Sequence, residues 1–269
     1  MFSRFKINDK ANTYFVKKDM MPQESSYKNF HLLFVRLMNR IKISDSKRLY
    51  EKNTCLVKLG IKYVFVALHY QPEETSCPAG GIYVDQLLIL EMLDLFLDQD
   101  ITIYVKEHRS QLNTSMEEGA AGRSRSFYNR LFNISSRVKI ISADTDPFLL
   151  IDNAIATVTI SGTVGWESVV RGTPSLVFGR AWYEGMPGVF RVADYGDLER
   201  AWPNVLRMKE EGFSKALLDS HRRLSGILVY ADLYKAFSRP LRVAENESVA
   251  NLVENIKGRI ALVDGGGCA

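Results

Sequence analysis

Six short β-prone runs recur between residues 62 and 192: Tyr63–Leu68, Ile101–Val105, Val138–Ile141, Ala156–Ile160, Ser175–Phe178 and Val189–Val192. Tyr63-Val64-Phe65-Val66-Ala67-Leu68 is almost continuously apolar, the pattern of a strand covered on both faces. Between the runs lie segments of helical spacing: Val84–Leu97, Arg123–Phe132, a stretch opened by Asp146-Pro147, and Gly165–Val170. Pro147 suits a first helical turn, where no N–H donor is lost. Strands alternating with helices predict right-handed βαβ crossovers and therefore a parallel sheet. The predicted fold is α/β, a single doubly wound, Rossmann-like sheet with a helical N-terminal segment and a helical C-terminal tail.

The flanks read differently. The chain up to Asn53 shows little strand character, and its clearest element is a helix over Tyr27–Ile43. Phe30, Leu33, Phe34, Leu37, Met38 and Ile41 recur there at helical spacing. Such a stripe is expected to pack on the downstream domain, or on a domain this chain lacks. The tail predicts helices over Leu198–Lys209, Phe213–Phe237 and Ser248–Leu262. The expected division is a basic, partly helical segment over 1–60 and a Rossmann-like domain with C-terminal helices over 61–269.

Composition narrows the function classes. With 269 residues, 46% hydrophobic and 25% charged, the chain can bury a sizeable core and is neither disordered nor a disulfide scaffold. The net charge of +4 is too mild to argue for nucleic acid. It is unevenly spread: residues 1–60 carry 13 Lys+Arg against 5 Asp+Glu, leaving 22 against 26 in the remainder. A basic front end suits an acidic partner or membrane headgroups, and equally a solvated linker. Cys55, Cys77 and Cys268 are too scattered for a zinc site or a disulfide framework. The first residues lack a signal-peptide stretch, and Leu87–Leu97 is too short and too charged to span a bilayer. A cytoplasmic protein is expected, either free or peripheral to the inner face of the membrane.

Ligands of open parallel sheets bind beyond the carboxyl ends of the strands. After the fourth run comes Ser161-Gly162-Thr163-Val164-Gly165-Trp166-Glu167, a turn leading directly into a helix. Free N–H groups and two hydroxyls there can receive a phosphate, with Glu167 placed for sugar hydroxyls. A capping turn with a dipole-complementing carboxylate explains the same residues. After the second run, Lys106-Glu107-His108-Arg109 offers cations and an imidazole to an anion, or forms an ordinary charged strand end. After the first, His69-Tyr70-Gln71-Pro72-Glu73-Glu74 carries a candidate general base in Glu73, or is a surface turn. After the fifth, Arg180 stands among Trp182 and Tyr183, suited to stacking or to a hydrophobic lid.

These segments, with Gly80-Gly81-Ile82-Tyr83-Val84-Asp85-Gln86 and Gly172-Thr173-Pro174-Ser175-Leu176-Val177-Phe178-Gly179, resemble the capsule polysaccharide biosynthesis glycosyltransferases. That bacterial family has a two-domain GT-B fold and includes β-Kdo transferases using CMP-Kdo. The likeness spans about Lys62 to Val192, with His108-Arg109 where the family usually has His-Pro. It implies donor-phosphate contacts from Lys106 and His108, a nucleotide cradle at Ser161, Gly162 and Thr163, sugar contacts from Glu167, and a cleft lined by Gln71, Pro72 and Glu73. Glu73 and His108 are the catalytic candidates, and Gln71 and Arg180 the substrate-binding ones. No metal or cofactor is implied beyond the nucleotide-sugar donor itself. Asp144-Thr145-Asp146 has DxD spacing, but Pro147 marks it as a helix start.

The function expected is therefore a glycosyltransferase of capsule or surface polysaccharide synthesis, acting on a glycan or glycolipid acceptor. Only about 60 residues precede the sheet, so a donor-binding half completed by a partner protein is one alternative. A UDP-sugar 2-epimerase-like enzyme is another.

Overall fold

The computed structural model describes residues 2–5, 14–17, 26–72, 76–114, 122–224, 250 and 253–254. All six runs become strands, Tyr63–Ala67 (β4), Thr102–Lys106 (β5), Val138–Ile141 (β6), Ala156–Thr159 (β7), Ser175–Val177 (β8) and Val189–Arg191 (β9). A two-residue strand, Thr54–Cys55 (β3), adds one edge, giving the order β3-β6-β5-β4-β7-β8-β9 with every neighbouring pair parallel. Upstream, Phe2–Phe5 (β1) and Tyr14–Lys17 (β2) pair antiparallel with Phe5 opposite Tyr14, where the sequence showed little strand character. Short runs of aromatic and β-branched residues suffice for a hairpin once each supplies the other's backbone partners.

Period-two alternation divides the core. Val64, Val66 and Leu68 face one layer with Ile103, Val105 and Val158, covered by helices Leu87–Phe96 (α2), Arg125–Phe132 (α3) and Tyr195–Glu211 (α6). Tyr63 and Phe65 face the other with Tyr104 and Ile141, covered by Pro147–Asn153 (α4) and by Val164 of Thr163–Val170 (α5). From β4 through β5 to β6 the chain moves toward one edge, and from β7 to β9 toward the other. Right-handed crossovers require helices on opposite faces for opposite directions, which is what the two layers show. The reversal falls between β4 and β7. Helix starts are capped as their sequences suggest: Asp146 accepts from the Phe148 N–H, Ser124 from that of Phe127 and Asp194 from that of Asp197. The helix expected from Val84 begins at Leu87 instead, because Gly81, at φ +54°, opens a 3-10 turn over Gly81–Val84.

The N-terminal helix, Ser26–Lys52 (α1), is longer than Tyr27–Ile43, since neither glycine nor proline occurs between Pro22 and Gly60. Its last third docks: Ile43, Ser46 and Tyr50 are buried, and the helix packs on α3 and on the 3-10 turn Arg109–Leu112. From Leu33 onward the apolar stripe does not pack on the downstream domain; Leu33, Phe34, Leu37, Met38 and Ile41 are all exposed. The tail gives a helix Ser214–Leu224 (α7), while Ser248–Leu262 lies almost wholly outside the described residues. Among the described residues no helix is long and apolar enough to cross a membrane.

Candidate functional site

Where a doubly wound sheet reverses direction, the loops leaving the two adjacent strands diverge and leave a crevice. Here those loops follow β4 and β7, and one side chain joins them. The backbone N–H of Ser161 donates to His69 Nε2 at 3.2 Å, and the Thr159 hydroxyl lies 2.9 Å from the same nitrogen. Nε2 therefore accepts, and the neutral ring carries its proton on Nδ1. Burial, with the positive charges of His108 and Arg123 as lesser causes, lowers the His69 pKa to about 4. A neutral imidazole is thus secured where a charged one could not accept.

The turn that His69 holds is braced from three sides. Thr159 Oγ1 accepts the Gly162 N–H at 3.2 Å, and the buried Tyr183 hydroxyl donates to the Gly162 carbonyl at 2.5 Å. A Cβ on Gly162 would stand 2.9 Å from Thr159 Oγ1 and 3.2 Å from His69 Nε2, so a side chain there would prise the turn open. Gly165, one turn into α5, is similarly confined by the Tyr183 hydroxyl and Ser175 Oγ. The start of α5 consequently sits against the sheet with Thr163 exposed and Ser161 half-buried. Glu167, four residues beyond Thr163, is half-buried and has no ion-pair partner among the described residues; its charge contributes to raising the Tyr183 pKa, after burial itself.

Beneath the ends of β4 and β5 lies a buried polar frame. Glu107 is fully buried: one carboxylate oxygen accepts from Arg123 Nε at 2.9 Å and the Tyr128 hydroxyl at 3.0 Å, the other from the His108 N–H at 2.9 Å. Arg123 also donates to the His69 carbonyl at 2.9 Å, and Gln86 grips the backbone of His69 with both ends of its amide. Tyr50 takes the Glu107 N–H and donates to the Ile141 carbonyl, tying α1 to β5 and β6. Both ionic partners are satisfied, the condition under which a buried pair is tolerated.

Strand alternation separates Glu107 from its neighbours. Lys106 pairs with Ala67 and shares the face of Tyr104, the face on which α5 packs, so it flanks the α5 start with only the small Ala67 between the strands. Its ammonium is half-buried and has no hydrogen bond or ion pair among the described residues. Burial, then the Arg109 charge, lowers its pKa. His108 is exposed and packs its ring against Tyr70, with centroids 6.0 Å apart; Nδ1 accepts the Ser110 N–H at 3.2 Å, which places the proton of the neutral ring on Nε2. Arg109 turns away to an exposed pair with Asp144, and Asp146 is spent as a helix cap.

The structure brings Lys106, His108, Ser161, Gly162, Thr163 and Glu167 to one edge of the sheet. Gln71 lies beneath that edge, buried, donating from Nε2 to Ser76 and exchanging backbone bonds with the Gln111 amide. Arg180 is exposed and pairs with Glu184, and its backbone N–H donates to the Ala79 carbonyl. Glu73 lies outside the described residues. His69 as the clamp of the turn, and Arg123, Gln86 and Tyr183 as its supports, were not singled out from sequence. The signal available was a histidine directly after a fully buried strand, where an imidazole needs a partner. A cavity of about 380 Å³ opens on the β5–β6 side, lined by Lys47, Tyr50, Arg109, Asn113 and Asp144 among others, apart from the α5 start.

The family described as capsule polysaccharide biosynthesis protein matches residues 84–227. Among solved structures, the chain is similar to UDP-GlcNAc 2-epimerase from Methanocaldococcus jannaschii at 16% identity over 69% of this chain and 50% of that one, with a TM-score of 0.42. It is also similar to two KpsC structures from Thermosulfurimonas dismutans. The β-Kdo 2,7 transferase has 12% identity, 60% and 49% coverage and a TM-score of 0.36. The β-Kdo 2,4 transferase has 15% identity, 62% and 50% coverage and a TM-score of 0.38. The chain spans about half the length of each of these structures. No curated protein matches it.

Proposed function

Since this chain belongs to the capsule polysaccharide biosynthesis protein family, we propose that it serves as a glycosyltransferase whose Rossmann-like sheet binds a nucleotide-activated sugar at the β4–β7 reversal. The observation that carries this reading is the α5 start, clamped open by His69 and Tyr183 at the reversal and flanked by the half-buried Lys106. A helix start is electropositive. With the Ser161 and Gly162 N–H groups held by His69 and Thr159, the first N–H groups of α5, at Thr163 and Val164, face the ligand. A cation without an ion-pair partner among the described residues at their side suits an anion of one or two phosphates.

In this reading Lys106 and His108 contact the donor phosphate, Ser161, Gly162 and Thr163 cradle it, and Glu167 accepts from sugar hydroxyls. Negative charge accumulates on the leaving nucleotide during transfer, so the same groups stabilise departure as well as binding. Arg180 borders the sugar side, Gln71 supports the loop beneath it, and Glu73 is the candidate base for the acceptor hydroxyl. The nucleotide sugar is a substrate, and no further cofactor is invoked. A CMP-activated sugar acid such as CMP-Kdo is the donor that the resemblance to the β-Kdo transferases suggests, with a glycan or glycolipid of the capsule pathway as acceptor, at the cytoplasmic side of the membrane.

Isothermal titration of the full chain with CMP and with UDP tests the site. Binding is expected, and Ser161→Ala and His108→Ala should each weaken it by about 1–3 kcal/mol without unfolding the protein. Absence of binding at saturating nucleotide overturns the assignment. A second reading, a donor-binding subunit, is favoured by one fact: the described residues hold one large parallel sheet, whereas transfer requires both reactants to be positioned, worth about 7–11 kcal/mol of the barrier. Nucleotide binding with donor turnover only after a second chain is added would select that reading, and turnover by the purified chain would exclude it. Product analysis separates transfer, which releases the nucleotide, from epimerisation, which leaves it attached.

A further inference from the structure

We propose that the leading part of α1 is a membrane-surface anchor whose apolar face inserts at the interface of an anionic bilayer. Five large apolar side chains, Leu33, Phe34, Leu37, Met38 and Ile41, are between 37% and 66% exposed on this helix. At 3.6 residues per turn they fall within an arc of about 140°. Arg36 and Arg40 border one side of the arc and Lys42 the other, all three exposed. Long cationic side chains in those places can lay their stems along the apolar surface and raise their charges to phosphate level.

Charge selects the occupant. No Asp or Glu occurs between Glu24 and Asp45, while Lys28, Arg36, Arg40 and Lys42 fall within that stretch. A protein interface of ordinary composition exchanges charges of both signs, whereas this stretch of sequence carries cations alone beside an apolar stripe. That combination matches a sheet of anionic headgroups over hydrocarbon. The helix lies on such a surface and does not cross it, since no described helix has the length and apolarity to span. Its attachment is rigid: Ile43, Ser46 and Tyr50 are buried in the domain, and Tyr50 bonds to both β5 and β6, so the orientation of the anchored face relative to the sheet is set by packing. The anchor is independent of the nucleotide site and stands or falls separately from it.

Co-sedimentation of the full chain with vesicles provides the test. Binding is expected to phosphatidylcholine vesicles containing phosphatidylglycerol and not to phosphatidylcholine alone, and should weaken roughly tenfold or more as salt rises from about 0.05 to about 0.5 M. Leu37→Asp and the double variant Arg36→Glu, Arg40→Glu should each abolish it. Both alter exposed positions, so unchanged circular dichroism and unchanged CMP or UDP titration are expected alongside. The proposal is overturned by failure to bind anionic vesicles, or by wild-type binding of Leu37→Asp. It is equally overturned if the face proves to join two copies, seen as a concentration-dependent dimer that Leu37→Asp dissolves while wild type ignores lipid.

Discussion

His69 is where residue chemistry has the largest consequence. Its pKa falls to about 4 from an ordinary value near 6.5, so between those values the unfolded chain binds more protons than the folded one. Stability from this group is complete above pH 6.5 and is lost progressively as pH falls toward 4, by up to about 3 kcal/mol. Denaturant melts across that window should show the slope in wild type, and it should flatten in His69→Ala. A slope unchanged in the variant would assign the effect elsewhere. Gly162→Val should leave the sheet folded while weakening nucleotide affinity at least as much as Ser161→Ala, because the added branch meets Thr159 and His69 directly. Lys106 gives a complementary signature: burial and Arg109 depress its pKa, and an arriving phosphate would restore it. As pH approaches the Lys106 pKa of the free protein from below, nucleotide binding should then take up protons, visible as a buffer dependence of the calorimetric enthalpy, and affinity should decline as pH rises through that pKa. Ser161, Lys106 and His108 were legible as candidates because they directly follow apolar runs. His69 acquires its meaning only through Thr159, ninety positions away.

At the scale of elements, the pair Arg123–Glu107 joins the α3 entry to the end of β5 and, through the His69 carbonyl, to the end of β4. Removing one partner leaves a buried charge uncompensated: Arg123→Met should cost about 3–5 kcal/mol in denaturant unfolding, and adding Glu107→Gln should recover part of the loss. If the double variant is less stable than the single, the frame is held by Tyr128 and His108 and not by the ion pair. The elements themselves were largely readable. Each expected strand formed, since short β-prone runs between turn and helix segments mark parallel strands, most plainly the continuously apolar Tyr63–Ala67, and Asp146 and Ser124 capped helices as their residue types suggest. The hairpin β1–β2 and the edge strand β3 were not readable, because short strands owe their existence to a partner that no local window contains. Nor could spacing show that α1 buries Ile43, Ser46 and Tyr50 while Leu33 to Ile41 of the stripe stay exposed.

Across the whole molecule, ligand linkage offers the broadest check. If CMP or UDP binds the folded state alone, a concentration one hundred times its dissociation constant should stabilise the chain by about 2.7 kcal/mol, raising the melting temperature in a dose-dependent way. Ser161→Ala should need proportionately more ligand for the same shift; an identical dose response would place the nucleotide elsewhere. The order of strands explains why one edge collects the candidates. Two-way winding about β4 turns the loops after β4 and β7 in opposite directions, and residues from four separate loops arrive at the same end of the sheet because every parallel strand ends on that side. Sequence alone determined the fold class, since apolar runs alternating with amphipathic helices admit few arrangements that bury both faces of a sheet. It also marked the loops after the strands as the candidates for anion contact, and family membership follows from the same local patterns. Tertiary structure alone decided that β4 and β7 are neighbours, that His69 is neutral and clamps the Ser161 turn, that Gln71 and Glu107 face inward, and that the α1 stripe stays exposed. Those outcomes depend on contacts between residues tens of positions apart, and burial, protonation and pairing are properties of such contacts, not of the residues taken singly.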